Sequence, residues 1–130
     1  MRSLVTLSVI ALLSCPALAK KPSVASMPPV VVKTVPQAGD TKVDPGLKQI
    51  KVTFSKDMKT NKMWSFVKVS KDTYPETGGP KYTDKRTIVL PVTLKPGKTY
   101  AIWINSGKYN AFRDAQNNPA VPYLLVFETK

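Results

Sequence analysis

Leu94-Lys95-Pro96-Gly97-Lys98-Thr99-Tyr100-Ala101-Ile102-Trp103-Ile104 reads as a turn that feeds a strand. Proline presets a turn-compatible φ and glycine reaches positive φ without steric cost, so Pro96-Gly97 punctuates the chain. Tyr100, Ile102 and Ile104 then alternate with Ala101, Trp103 and Asn105, the period of two that a half-buried strand requires. Working outward, Phe112-Arg113-Asp114-Ala115-Gln116-Asn117-Asn118 is a polar turn. Tyr123-Leu124-Leu125-Val126-Phe127-Glu128-Thr129 is a last apolar strand.

The same grammar runs back toward the N-terminus. Val30-Val31-Val32 opens a β-branched run that ends at Val35-Pro36, and Gln37-Ala38-Gly39-Asp40 is a turn. Ile50, Val52 and Phe54 alternate with Lys51 and Thr53. Phe66 to Ser70 is a further short strand. Tyr74 to Pro80 reads as a loop, and Thr87 to Leu90 as a strand that meets Pro91 at an edge or a strand end. A long loop spans Asn105 to Pro122. No stretch has three turns of helical periodicity, and twelve prolines oppose helix. The pattern predicts an all-β antiparallel sandwich of about seven short strands. Its expected core is Ile50, Val52, Phe54, Ile88, Leu90, Ile102, Ile104, Leu125 and Phe127.

The chain of 130 residues is read as a signal peptide over 1–19, a linker over 20–28 and one domain over 29–130. Met1-Arg2 is a short basic start, Leu4 to Leu13 an apolar run, and Ala17-Leu18-Ala19 a small-x-small cleavage site. Leu12-Leu13-Ser14-Cys15 also resembles a bacterial lipobox, which would anchor the protein by a lipid on Cys15. The expected location is exported, periplasmic or extracellular, with lipid anchoring as the alternative. No later segment approaches the roughly 20 apolar residues of a membrane-spanning helix.

Net charge is +12, and loss of Arg2 with the leader leaves +11. The cations are almost all lysine, a hydrated point charge rather than a bidentate reader, so the field suits general attraction of polyanions. An envelope polysaccharide or another exported protein is the expected partner class. Nucleic acid is not expected, because no base-reading motif is present.

Several pieces, taken in order, carry a family resemblance. Pro29 to Val35 with Pro36-Gln37-Ala38-Gly39 resembles an opening strand and its Pro-x-x-Gly turn. Val52-Thr53-Phe54-Ser55-Lys56-Asp57-Met58 resembles a Val-Thr-Phe-Ser-x-x-Met signature, and Leu94 to Tyr100 a Leu-x-Pro-Gly-x-x-Tyr signature. Asp114 to Asn117, then Phe127-Glu128-Thr129, resemble the family's ending. The chain from about residue 29 onward is thus similar to the bacterial Ig-like domains of surface-layer and other exported proteins. The resemblance implies an immunoglobulin-like sandwich and leaves activity open. It implies structural roles for Pro96, Gly97, Tyr100, Asp114, Phe54 and Phe127, with Tyr100 as a tyrosine corner. Asn117 stands where Gly is usual, and asparagine tolerates positive φ.

Histidine is absent, which removes histidine-based general-base and triad chemistry. The eight acids are scattered through turns and suggest no paired carboxylates for glycoside hydrolysis. No enzyme activity, cofactor or metal site is expected. Met27, Met58 and Met63 offer soft thioethers to Cu(I), but methionine commonly fills cores. Asp114 with loop carbonyls has calcium-type oxygen chemistry, against an ordinary turn role. The expected binding residues are Trp103, Tyr109, Lys56, Lys59 and Lys62. Trp103 falls on the face opposite Tyr100 and Ile102, either as an exposed platform or buried under the 105–122 loop. Tyr74, Tyr82 and Tyr109 lie in loops and can join it. Lys56, Lys59, Lys62, Lys68 and Lys71 cluster in sequence as a basic patch or a solvated face. Trp64 reads as core. The functional reading is a secreted, non-catalytic binding module at the cell envelope. The alternatives are a spacer domain without a ligand and a periplasmic copper-carrier-like protein.

Overall fold

Along Gln49–Phe54, Ile50, Val52 and Phe54 are buried while Gln49 and Lys51 are exposed, because one face of the strand meets the core and the other meets water. The computed structural model describes residues 21–130, so the leader and Cys15 lie outside the described residues. Eight strands follow in order: β1 Val31–Val35, β2 Gln49–Phe54, β3 Phe66–Lys68, β4 Glu76–Thr77, β5 Lys81–Asp84, β6 Thr87–Thr93, β7 Thr99–Ile104 and β8 Tyr123–Glu128. They form two antiparallel sheets. In the larger, β1-β2-β6 run side by side, and the far side of β6 pairs with both β4 and β5. The smaller has the order β3-β7-β8.

The inner faces of the two sheets make one core. Every residue of the expected core is buried. Phe112 joins them from the long loop, its ring centroid 5.1 Å from those of Phe54 and Phe66. Val43, Met58, Val92 and Leu94 are buried as well. Val92 belongs to β6, but Val43, Met58, Leu94 and Phe112 come from connections, and at roughly 1.5–3 kcal/mol for a large side chain fully buried such loop residues add materially to the core.

Two expectations are corrected. The stretch from Tyr74 to Pro80 is not only loop, since it carries β4, and Tyr82 lies in β5 rather than in a loop; both strands are too short to show an alternating pattern. Pro91 is not at a strand end: β6 continues through it to Thr93, in the middle of the larger sheet. The position tolerates proline because the neighbour of β6 changes there from β5 to β4. The missing N–H falls in that gap, while the Pro91 carbonyl accepts from Gly78 N at 2.9 Å.

The turn chemistry is as the residues require. Gly97 has φ 65° and Asn117 φ 72°. Tyr100 is buried against Phe127, centroids 5.5 Å apart, and its hydroxyl accepts from Lys95 N at 2.8 Å across the Pro96-Gly97 turn. That single bond ties the turn to the strand it feeds. The 105–122 loop is tied down from Asn105, which is fully buried with φ 58°. Its amide nitrogen donates to the carbonyls of Phe112 and Ala120, and its oxygen accepts from Phe112 N at 2.9 Å.

Candidate functional site

Lys56 does not belong to a surface patch. It is 7% exposed, and its ammonium donates to Asp114 Oδ2 at 2.6 Å and to the carbonyls of Ala25 and Met27 at 2.9 and 3.0 Å. A lysine this enclosed survives because a carboxylate and two carbonyls replace its water. Asp114, fully buried, accepts from Gln116 N and Asn118 N through Oδ1, closing the turn. Burial would push its carboxyl pKa up, but the hydrogen bonds from Lys56 and Asn118 outweigh this and hold it below the ordinary value. The pair also docks residues 25–27, inside the stretch read as a linker, onto the domain. Lysine thus fills the place where a cation would have met Asp114.

The other expected residues separate. Trp103 is half-buried on the outer face of the smaller sheet, between Val67 of β3 and Leu124 of β8. Lys59 donates to Asn117 Oδ1 at 3.0 Å, and Lys62 is exposed in the loop that leads to Trp64. Met58 lies in the core and Met27 is half exposed, so the thioethers are differently placed. Among the described residues, no three His, Cys, Asp or Glu side chains gather as a metal site. No helix of the described residues is long and apolar enough to cross a membrane.

Tyr109 instead lies on a groove of about 590 Å³ that opens where the two sheets part. One wall is the run Trp64 to Lys68, entering and forming β3 at the edge of the smaller sheet. The opposite wall is Thr77, Gly78 and Pro80, at and after β4 on the edge of the larger sheet. The buried side chain of Leu90 reaches it from β6, so the groove touches the core. Trp64, Phe66, Tyr74 and Tyr109 give it an aromatic lining. Lys68 supplies the charge, its ammonium 5.4 Å from the centroid of the Tyr74 ring. Partial burial pushes the Tyr74 phenol pKa up, opposed by a hydrogen bond with Thr77, so the ring enters the groove as a neutral phenol. Aromatic faces with one cation can hold an extended ligand with an apolar side and a negative group. The sequence places Trp64 in the core, whereas it is only partly buried and borders this opening. Tyr74, Tyr109 and Lys68 were legible as loop aromatics and one of a lysine run, but nothing in their spacing brings them together.

Residues 25–129 match the family described as bacterial Ig-like domain. No curated protein matches the chain.

Proposed function

Because the chain belongs to the bacterial Ig-like domain family, we propose that it is an exported, non-catalytic binding module of the cell envelope whose ligand sits in the groove beside β3. The observation that carries this reading is the convergence of Trp64, Phe66, Tyr74 and Tyr109 with Lys68 on one open groove. The signal-peptide pattern of residues 1–19 supports export. The lysine-rich surface supports an anionic envelope component, either a glycan or another exported protein, as the ligand. Trp103, on the other face of the same sheet, takes no part in it.

Retention of the protein on isolated envelope fractions tests this, at low salt and at ~0.5 M salt, where charge screening acts within a few ångström. Wild-type retention should survive salt, and the exposed pair Tyr109→Ala with Lys68→Gln should lose it. Wild-type retention that vanishes with salt, or a double variant held as well as the wild type, would contradict the groove as a site. A spacer domain without a ligand would then be the better account.

A further inference from the structure

The groove runs along the free edge of a strand. Just before β3 the carbonyl of Ser65 accepts from Asn105 N, so the alternation of an antiparallel ladder turns Ser65 and Val67 toward β7. The N–H and C=O groups of Phe66 and Lys68 therefore point the other way, to the sheet edge. That edge is one wall of the groove, and four consecutive residues from Ser65 to Lys68 line it. We infer that the groove takes an extended polypeptide segment as an added strand on β3, with an acidic side chain of that segment meeting Lys68. This rests on the groove being the binding site proposed above.

Three observations favour a polypeptide over a glycan. The unpaired edge offers alternating donors and acceptors, which match a backbone. The wall opposite β3 belongs to β4 and the residues after it, so the groove runs between the margins of the two sheets. Phe66 and Leu90 give the slot an apolar floor, where alternate side chains of an added strand would go. Lys68 sets the choice of segment. Its partner residue across the ladder is the buried Ile102, so it sits on the inward side at the rim, and among the described residues it is in no ion pair. A lysine turned inward on an edge strand repels purely apolar strands and accepts one that carries a carboxylate.

The test uses the full chain and a blocked peptide of about seven residues, the length of an ordinary strand, whose alternate positions on one face are valine, valine and one glutamate, with threonine between them, so that valine and glutamate share the face of Phe66 and Lys68. Two N-methylated versions each block one alternate set of its amides. An oligogalacturonate serves as the acidic glycan. One methylated version should bind like the parent, and the other should bind about tenfold or more weakly, since only one set of amides faces β3. Lys68→Glu should reverse the preference toward the same peptide with lysine in place of its glutamate. If both methylated versions bind alike at the groove, or only the oligogalacturonate binds there, strand addition is overturned while the groove remains a binding site. If neither probe perturbs residues 64–80, the inference and the proposed function both fail. If Lys68→Glu leaves the peptide preference unchanged, the role given to Lys68 fails.

Discussion

Lys56 and Asp114, 58 positions apart in sequence, meet as a buried ion pair with Nζ 2.6 Å from Oδ2. The contact joins the end of β2 to the turn of the long loop, and through the Ala25 and Met27 carbonyls it holds the N-terminal segment too.

Breaking both sides of this pair should cost less than the sum of breaking each alone. Lys56→Met leaves a buried carboxylate without its cation and should destabilise the domain by about 3 kcal/mol or more in denaturant titration. Asp114→Asn added to it removes the uncompensated charge, so the double variant should lose less than the sum of the two singles. Strict additivity would mean that the two groups do not interact.

The pair also makes stability sensitive to acid. The folded-state pKa of Asp114 lies below its unfolded value, so its contribution is present above the ordinary aspartate value of ~3.9 and is lost as pH falls through the depressed folded value. The denaturant midpoint should therefore drop below about pH 4, and Asp114→Asn should flatten that drop. Asp84, exposed and held low chiefly by the Arg86 backbone N–H, leaves a residual slope in the variant. An identical slope in wild type and variant would exclude Asp114 as the cause.

Asn105 should be the least replaceable residue of the long loop. Asn105→Ala leaves the Phe112 N–H and the Ala120 carbonyl without their partners, while the Phe112 carbonyl keeps the Ala120 N–H. At about 1–3 kcal/mol for each unsatisfied buried group, a loss of roughly 3 kcal/mol or more is expected in thermal or denaturant unfolding. A change under about 1 kcal/mol would show that water replaces the amide.

Two glycines should respond with opposite sign. An added Cβ meets nothing within 4 Å at either Gly97 or Gly107, but only Gly97 has positive φ, at 65°. Gly97→Ala should therefore cost about 1–2 kcal/mol from backbone strain alone. Gly107→Ala should be neutral or stabilising by about 0.4–1 kcal/mol. Equal effects in unfolding titrations would remove the strain argument.

What could be read from the sequence follows the range of the interactions involved. Ile50, Val52 and Phe54, or Tyr100, Ile102 and Ile104, declare their buried face within a few residues, because strand periodicity is local. Tyr100 and Pro96-Gly97 are likewise a local unit. Lys56 gave no such signal: among its lysine neighbours it looks solvated, and only a carboxylate far along the chain makes burial possible. The groove was hidden for the same reason. Trp64, Tyr74 and Tyr109 come from three separate connections, and only the pairing of β3 with β7 and of β4 with β6 sets the walls they line. The outward parity of Trp103 is local and so legible, yet parity says nothing about which face of a sheet binds.

The most direct measurement is residue-resolved amide hydrogen exchange on the protein with and without soluble extract of its envelope fraction. Slowed exchange at Phe66 and Lys68 and along residues 74–80, with Val67 already protected by β7, is the predicted result. Unchanged exchange there, with protection appearing around Trp103 and Leu124 instead, would place the ligand on the opposite face of the sheet and contradict the account.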